Sequence, residues 1–325
     1  MKNVVVSFKV DEKQKQFINS CIDKNASLKY LQDYNDTESR DLLSNADVLF
    51  AWNPPKELDY NNPDVFPKLK FVQVLSAGYD HLDFNLFPPG CRIASNKGAY
   101  ADPMAEHIMA MVLSLAKKLF INHKKLSVGE FNQRETNISI KNSVFGILGF
   151  GGIGKATAKL IKPFGSKIYA VNSSGKTTEK VDFTGTLDDL KFVLEKSDII
   201  IISLPLIKET EDLIGEKELE MMKPDAIIIN AARAQIINEE ALYDHLKTHP
   251  DFYAGIDAWW VEPFSDGEFR TNYAFFDLPN IIGSPHNSAL VPGALLEGVR
   301  RAAENINLFL NNKKPKNIID TNRKK

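Results

Sequence analysis

The segment VFGILGFGGIG, at residues 144–154, is the feature that most restricts how this chain folds. An apolar run leads into glycines in the order GxGxxG, and a segment of helical character follows at 155–161. A strand, a glycine turn and a helix in this order form the context in which the pattern binds a dinucleotide. The sequence therefore predicts dinucleotide binding, with a glycine turn in any α/β protein as the simpler alternative.

The residues of this turn have separate steric and polar roles. Gly149 permits a tight turn, Gly151 lets the backbone approach a pyrophosphate, and Gly154 lets the helix pack closely on the strand. The first N–H groups of a helix have no partner within it. Those of Gly152 and Ile153 are therefore expected to bind the phosphates.

The turn after the next predicted strand, 167–171, decides which dinucleotide is preferred. An acidic residue about 20 positions beyond the glycines usually binds the adenosine ribose of NAD. Here the strand is followed by polar residues without a carboxylate, namely Asn172, Ser173, Ser174 and Lys176. A carboxylate would repel a 2′-phosphate, whereas hydroxyls and an ammonium would tolerate or attract one. NADP is therefore favoured, and a turn that binds the ribose of NAD through Asn172 is the alternative.

Length and composition exclude several classes of protein. The chain has 325 residues, which is typical of two domains, and its net charge of −2 gives no reason to expect a nucleic-acid surface. The basic stretch at 313–325 is interpreted as a solvated end. The chain has only two cysteines, Cys21 and Cys91, so a disulfide framework is not expected. A reducing, cytoplasmic location is expected instead.

The sequence also predicts neither a metal site nor a membrane-spanning segment. No CxxC or HExxH spacing occurs, so the sequence predicts no metal site. The N-terminal apolar run is interpreted as a strand because it is too short for a signal peptide. No stretch approaches the length needed to cross a membrane.

Short apolar strands alternate with helices along most of the chain. The first hundred residues contain predicted strands at 4–10, 47–52 and 71–75 and a helix at 12–22. Beyond the glycine turn, strands are predicted at 197–204, 226–230, 253–256 and 280–283, with helices at 187–195, 217–222 and 239–247. The isoleucines 199–202 indicate a strand buried on both faces of a parallel sheet. The alternation predicts doubly wound α/β sheets, in which ligands bind at the carboxyl ends of the strands.

The region between these two parts is harder to assign. Residues 101–120 are predicted to form one long helix, apolar around most of its circumference and therefore largely buried. The polar stretch at 124–142 follows no clear periodicity.

Three polar residues follow predicted strands in the second half of the chain. Arg233 comes after AIIINAA, Glu262 after YAGIDAWW, and His286 after IIGSP. An arginine can hold a carboxylate through two hydrogen bonds, and a histidine exchanges protons near neutral pH. A glutamate hydrogen-bonded to that histidine would fix its ring and favour its charged form. Together they predict reduction of a carbonyl beside a carboxylate. Taken singly, Arg233 also fits a surface cation, Glu262 a carboxylate at a helix start, and His286 an ordinary loop histidine.

At this point the chain resembles the D-isomer specific 2-hydroxyacid dehydrogenase family over nearly its whole length. The motifs follow the order and spacing of the family: LSAGYDHLD at 75–83, NKGAYADPMAEH at 96–107, GILGFGGIG at 146–154, SLPLIKET at 203–210, NAARAQIINEEAL at 230–242, GIDAWWVEP at 255–263 and GSPHNSA at 283–289.

The resemblance implies an α/β fold of two doubly wound domains. A Rossmann-type dinucleotide-binding domain at 101–290 would be inserted into a flavodoxin-like substrate domain formed by 1–100 and 291–325. The implied activity is reversible hydride transfer between NAD(P)H and a 2-oxo acid, giving a D-2-hydroxy acid without a metal. A homodimer through the dinucleotide domain is also implied, with its contact at 101–120 and the segment that follows.

The resemblance also assigns roles by position. The catalytic roles fall on Arg233, Glu262 and the proton-donating His286. The backbone N–H groups of Ser76, Ala77 and Gly78 would face the carboxylate of the substrate. Asp257 would contact the nicotinamide amide, with a carboxylate that caps a nearby turn as the alternative.

The resemblance also implies cofactor contacts at Pro205 and Ala231. The chain departs from the family pattern at two positions. The family usually has glycine after its arginine, whereas this chain has Ala234, so the backbone there must accommodate a Cβ. The other departure is the missing acid at Asn172, which concerns the cofactor and not the reaction.

Substrate identity is weakly encoded. The loop at 51–57 carries a single lysine, and the aromatic residues Trp52, Tyr100, Trp259 and Trp260 would line a pocket or, alternatively, pack in the core or a dimer contact. Glyoxylate, hydroxypyruvate and branched or aromatic 2-oxo acids all remain open. A formate or phosphite dehydrogenase on the same scaffold, or a dinucleotide-sensing corepressor that binds protein partners, are the alternative functions.

Overall fold

The chain divides into two compact units. The computed structural model describes residues 1–58 and 63–321. Unit 1 is formed by the described residues of Met1–Tyr100 and Val291–Lys325, and unit 2 by Ala101–Leu290.

Unit 1 is built on a five-stranded parallel sheet. Its strands are β1 (Lys2–Val6), β2 (Ala26–Tyr30), β3 (Val48–Ala51), β4 (Phe71–Val74) and β5 (Arg92–Ala94). They lie in the order β2-β1-β3-β4-β5, which is the flavodoxin-like order. The helices are α1 (Glu12–Cys21), α2 (Asp36–Ser44), α3 (Pro54–Glu57) and α11 (Ala294–Leu310). Apolar clusters cover both faces of the sheet, one of them including the buried side of α11.

Unit 2 is built on a seven-stranded parallel sheet. Its strands are β6 (Val144–Leu148), β7 (Lys167–Val171), β8 (Phe183–Gly185), β9 (Ile199–Ile202), β10 (Ile227–Asn230), β11 (Tyr253–Ile256) and β12 (Ile281–Gly283). Their order, β12-β11-β10-β9-β6-β7-β8, is that of a Rossmann sheet with one further strand. The helices are α4 (Ala101–Ala116), α5 (Leu119–Ser127), α6 (Gly152–Ile161), α7 (Leu190–Lys196), α8 (Glu216–Glu220), α9 (Glu239–Thr248) and α10 (Pro263–Asp266).

The fold class predicted from the sequence is confirmed, because both sheets are parallel and carry apolar layers on both faces. The central strand β9 shows why. Ile200 and Ile202 belong to one layer of unit 2, whereas Ile199 and Ile201 belong to the other. Alternating side chains of a strand point to opposite faces, so a run of four isoleucines fits only a strand that is covered on both sides.

The prediction of one long helix at 101–120 is wrong. The helix α4 ends at Ala116, and Lys118 adopts a left-handed backbone with φ of 49° before α5 begins at Leu119. A non-glycine residue rarely adopts this conformation, and here the Lys118 ammonium is held by Glu135 at 3.2 Å. The apolar pattern continues across the break, which is why periodicity does not reveal it. Neither α4 nor any other helix within the described residues is long and apolar enough to cross a membrane.

Candidate active site

The carboxyl edge of the unit 2 sheet collects the residues that the sequence singles out there. The glycine turn follows β6, and the turn of Asn172 follows its neighbour β7. On the other side of β6 the order of the strands reverses, and ligands bind at such a reversal. Arg233, Glu262 and His286 follow β10, β11 and β12, which are adjacent.

The glycine turn is packed too closely for a side chain at two of its positions. Gly149 has a φ of +100°, and a Cβ there would lie 2.5 Å from the carbonyl carbon and oxygen of Ser203. A Cβ on Gly154 would lie 2.5 Å from the carbonyl oxygen of Gly149. The helix α6 begins at Gly152, so the N–H groups of its first turn have no helical acceptor. These features fit a pyrophosphate held on the helix N-terminus.

The turn after β7 is stabilised by the side chain of Asn172. Its Oδ1 accepts hydrogen bonds from the backbone N–H and the hydroxyl of Ser174, both at 2.9 Å. Its Nδ2 donates to the carbonyl of Lys176 at 2.9 Å. Ser173, Ser174 and Lys176 are exposed, whereas the amide of Asn172 is already committed to the turn.

A histidine–glutamate pair lies at the ends of β11 and β12. His286 Nδ1 is 2.7 Å from Oε2 of Glu262, and a carboxylate oxygen can only accept, so Nδ1 carries the proton. The other oxygen of Glu262 accepts the backbone N–H of Trp259 at 2.7 Å. The Glu262 side chain is 16% exposed and that of His286 is 36% exposed. The ring is therefore oriented by a nearly buried carboxylate, and Nε2 is the ring nitrogen that takes no part in this contact.

The loop that carries His286 is held in an unusual backbone conformation. His286 has a φ of 51°, in the left-handed region, and its N–H donates to the carbonyl of Asp257 at 2.9 Å. Asp257 is fully buried, and its carboxylate accepts from the Ser284 hydroxyl at 2.5 Å and from the backbone N–H groups of Asn287 and Ser288. Residues in such a conformation persist where surrounding contacts over-determine them, often at functional sites. Asp257 thus makes the turn-capping contacts of the alternative interpretation, and its contact with the nicotinamide remains a prediction.

Arg233 lies on the loop after β10. Its Nη1 donates to the carbonyl of Ala232 at 2.8 Å, and its own carbonyl accepts from the side chain of Asn230. Ala234, where the family usually has glycine, begins a short 3₁₀ helix, which is a conformation that any L residue adopts. The expectation that a small residue is tolerated there is confirmed. Ala231 is buried at the same strand end. Pro205 follows β9 and is exposed.

The candidate substrate loop in unit 1 follows β4. Ser76, Ala77 and Gly78 are partly exposed, and the Ser76 hydroxyl is buried without a hydrogen-bond partner among the described residues. The Tyr100 hydroxyl donates to the carbonyl of Leu75 at 3.1 Å, directly before the loop. Burial raises the pKa of Tyr100. The structure therefore shows Tyr100 bracing the loop from within unit 1.

Trp52 lies after β3, at the same edge of the unit 1 sheet as the candidate substrate loop. Its side chain is 40% exposed and meets Phe8 edge to face at 6.4 Å. Its N–H donates to Glu57, whose carboxylate also accepts from Asn53 and Ser7. Burial raises the pKa of Glu57, and these hydrogen bonds oppose that effect. Glu57 thus fixes the loop that presents Trp52.

The remaining aromatic candidates belong to the core of unit 2. Trp259 is 4% exposed and donates from Nε1 to the carbonyl of Ser284. Trp260 stacks on Phe275 at 5.6 Å and donates to the carbonyl of Ile237. For these two tryptophans the structure shows the packing contacts of the alternative interpretation.

Asn230, His107 and Ser284 also contribute to the site, although the sequence analysis did not single them out. Asn230 is fully buried and braces the loop of Arg233 through its amide. His107, on α4, contacts the Ser284 hydroxyl at 2.9 Å, and this hydroxyl donates to Asp257. Histidine within a helical, apolar segment was the available signal for His107, but only the fold shows its partner.

Comparison with known proteins places the chain in a family. The model of the D-isomer specific 2-hydroxyacid dehydrogenase NAD-binding domain matches residues 109–288, more than half of the chain. The chain is 30% identical over 263 residues to glyoxylate reductase of Thermococcus litoralis, covering 78% of each protein. The chain belongs to the D-isomer specific 2-hydroxyacid dehydrogenase family and is an oxidoreductase that uses a nicotinamide dinucleotide.

Solved structures agree on the fold. A D-isomer specific 2-hydroxyacid dehydrogenase from Xanthobacter autotrophicus, in complex with NADPH and MES, superimposes with a TM-score of 0.81 at 21% identity and covers 99% of both chains. A putative formate dehydrogenase from Pyrobaculum aerophilum gives a TM-score of 0.80 at 24% identity and covers 98% of both chains. At these identities the likeness shows the fold alone.

Proposed function

We propose that this protein reduces a small 2-oxo acid to a D-2-hydroxy acid, prefers NADPH, and acts on glyoxylate among its substrates. The observation that carries this proposal is the 2.7 Å contact between His286 and Glu262 at the carboxyl edge of a dinucleotide-binding sheet. The name of the Thermococcus relative supports glyoxylate as the first substrate to test. In this proposal, unit 2 binds the dinucleotide and unit 1 contributes to substrate binding.

The proton chemistry follows from the histidine–glutamate pair. The bound nicotinamide supplies the hydride that the carbonyl carbon receives. His286 donates its Nε2 proton to the carbonyl oxygen, which would otherwise become a costly alkoxide. Glu262 holds the ring in place through a charge-assisted hydrogen bond to Nδ1.

Charge recognition is assigned to Arg233 and to the candidate substrate loop. Arg233 is proposed to hold the substrate carboxylate, since a guanidinium matches a carboxylate with two parallel hydrogen bonds. The backbone N–H groups of Ser76, Ala77 and Gly78 are proposed as further donors for a substrate carboxylate. Asn230 and Tyr100 act as positioning residues for these two elements.

The pair also distinguishes this proposal from oxidation of formate. Formate loses a hydride to become carbon dioxide, and no proton is given to the product or taken from it. A hydroxy acid gains or loses a proton at its oxygen in every turnover. Interconversion of a 2-oxo acid and a hydroxy acid therefore needs a group that exchanges a proton, such as the oriented histidine–glutamate pair, whereas oxidation of formate does not.

A steady-state screen of 2-oxo acids with NADPH and NADH in parallel tests both reaction and cofactor. We expect turnover of glyoxylate and a modest NADPH preference, because Lys176 and two serine hydroxyls are exposed where a 2′-phosphate would bind. Formate and phosphite with the oxidised cofactors are included. Turnover of formate alone would contradict the proposed reaction, and absence of turnover would favour a dinucleotide-binding corepressor.

Variants of the turn after β7 sharpen the cofactor prediction. Lys176→Ala should lower kcat/KM for NADPH selectively. The matched control is Lys159→Ala, which removes an exposed lysine from the last turn of α6, away from the glycine turn. Asn172→Asp should shift preference toward NADH, although it also places a carboxylate where Nδ2 now donates to the Lys176 carbonyl. A wild-type preference for NADH of about tenfold or more, about 1.4 kcal/mol of discrimination, would contradict NADP as the favoured cofactor.

A homodimer through unit 2 remains a prediction. Five apolar side chains on α5 and in the residues after it are exposed: Leu119, Phe120, Leu126, Val128 and Phe131. Apolar surface of this kind is typical of protein contacts. Light scattering at micromolar concentration should give twice the chain mass of 36.5 kDa, and a monomer mass would contradict the prediction.

A further inference from the structure

A cluster of metal-binding side chains lies away from the candidate active site. Glu220 ends α8, and His245 and His249 are four residues apart at the end of α9. Glu220 Oε1 is 3.4 Å from His245 Nδ1 and 4.0 Å from His249 Nε2. One ligand atom from each of the three side chains lies within 4.8 Å of the other two.

The spacing of the two histidines suits a shared ligand. Side chains at i and i+4 lie on the same face of a helix, and two histidines so placed are a known zinc-binding arrangement. Their rings are stacked with centroids 4.0 Å apart, so one ring must rotate before both nitrogens point at the same ion. Zinc ligands at 2.0–2.1 Å in a tetrahedron are separated by about 3.4 Å, and the three ligand atoms, now within 4.8 Å of one another, would close to that separation as the side chains rotate.

The hydrogen bond at Nδ1 of His249 leaves Nε2 as the nitrogen that can bind a metal. Its Nδ1 lies 3.0 Å from the carbonyl oxygen of His245, which can only accept, so Nδ1 carries the proton. In the neutral ring Nε2 then holds a lone pair, and this is the atom that faces Glu220. A second hydrogen bond at the non-coordinating nitrogen is typical of metal-binding histidines.

His245 is a buried polar group whose hydrogen bonding is incomplete. Its side chain is 7% exposed, and its Nε2 has no hydrogen-bond partner among the residues that the structure describes. The nitrogen nearest to Glu220 is the other one, Nδ1, which lies 3.4 Å from Oε1. A buried imidazole beside an exposed carboxylate can therefore offer a cation one ligand atom from each.

We propose that Glu220, His245 and His249 bind one divalent transition-metal ion of the zinc type, with water completing its coordination. Two imidazoles and one carboxylate are ligands that zinc accepts, and Glu220 is 58% exposed, which leaves solvent access. The ion would connect α8 to α9.

The position of this site indicates a structural role. The helix α9 returns from the carboxyl edge of the sheet, and β11 begins only four residues after His249. The site therefore lies at the amino edge, opposite to Glu262 and His286. We expect the ion to stabilise unit 2 without entering the reaction. The sequence does not predict the site, because Glu220 precedes the histidine pair by 25 positions and meets it only through the fold.

The test uses the full chain after chelator treatment and removal of the chelator. Calorimetric titration with Zn²⁺ should show one equivalent bound, and Tm should rise by several degrees at a zinc concentration about a hundredfold above Kd. His249→Ala and Glu220→Gln should weaken zinc binding at least tenfold and remove the rise in Tm. Both side chains are partly exposed, so these variants should fold, whereas His245→Ala opens a cavity.

Two control variants show whether other histidines bind the metal. His123→Ala removes an exposed histidine of α5, and His286→Ala removes the candidate proton donor; both should bind zinc like wild type. The kcat of the metal-free and zinc-loaded enzymes should agree. The proposal is overturned by wild-type binding weaker than about 100 μM, or by equal affinity in His249→Ala. Because the readout is binding, failure of the proposed reductase activity would leave this result interpretable.

Discussion

Replacing His286 by alanine is expected to lower kcat for 2-oxo acid reduction by roughly 10²–10⁴-fold, the usual contribution of a positioned general acid. The hydrogen bond to Glu262 orients the ring so that Nε2 is the nitrogen left to donate. Dinucleotide binding should be retained, because the phosphate turn follows β6 and not β12. Measuring kcat, together with the Kd of the cofactor from fluorescence titration, separates the two effects.

Two comparisons make this prediction specific. His123→Ala is the control for loss of an exposed histidine and should keep wild-type kcat. Glu262→Gln keeps the shape of the partner but replaces a charge-assisted hydrogen bond to Nδ1 by a weaker neutral one. Reduction by this variant should therefore show a lower kcat than wild type, with the Kd of the cofactor unchanged. A His286→Ala enzyme with kcat near wild type would show that another group donates the proton.

The parts of this structure that sequence could predict are those whose causes are local. The strand, GxGxxG and helix order of the phosphate turn and the four isoleucines of β9 are patterns carried by neighbouring positions. Their steric and hydrogen-bonding requirements are visible in the order of the residues. The strand ends that carry Arg233, Glu262 and His286 follow from the same alternation.

The remaining features depend on contacts between distant segments. The chain of hydrogen bonds from His107 through Ser284 to Asp257 joins α4 to β11 and β12, at separations that no periodicity encodes. The break at Lys118 leaves the apolar pattern intact, and Tyr100 is braced against residues nearly two hundred positions away at Gly298. The sequence therefore indicates which side chains follow the strands, whereas most of their hydrogen-bond partners are visible only in the fold. The contact between Glu262 and His286, expected from the sequence, is the exception.

The conformation of Gly149 leads to the second large expected effect. Gly149→Ala should abolish measurable NADPH binding and lower Tm, because the added Cβ would lie 2.5 Å from backbone atoms of Ser203. Backbone cannot rotate away as a side chain can, so β6 and the end of β9 would have to separate. The positive φ of +100° adds a conformational cost of about 1–2 kcal/mol for an L residue.

Gly129→Ala separates these two causes. Gly129 has a φ of +84°, lies in the same unit, and has nothing within 4 Å of the position of a Cβ. This variant carries the conformational cost without the clash, so its Tm should fall only slightly and its cofactor affinity should match wild type. Thermal unfolding and fluorescence titration of both variants measure the difference. If Gly149→Ala bound NADPH with wild-type affinity and unfolded at the same Tm as Gly129→Ala, the close approach of the two strand ends would not be what shapes the phosphate turn.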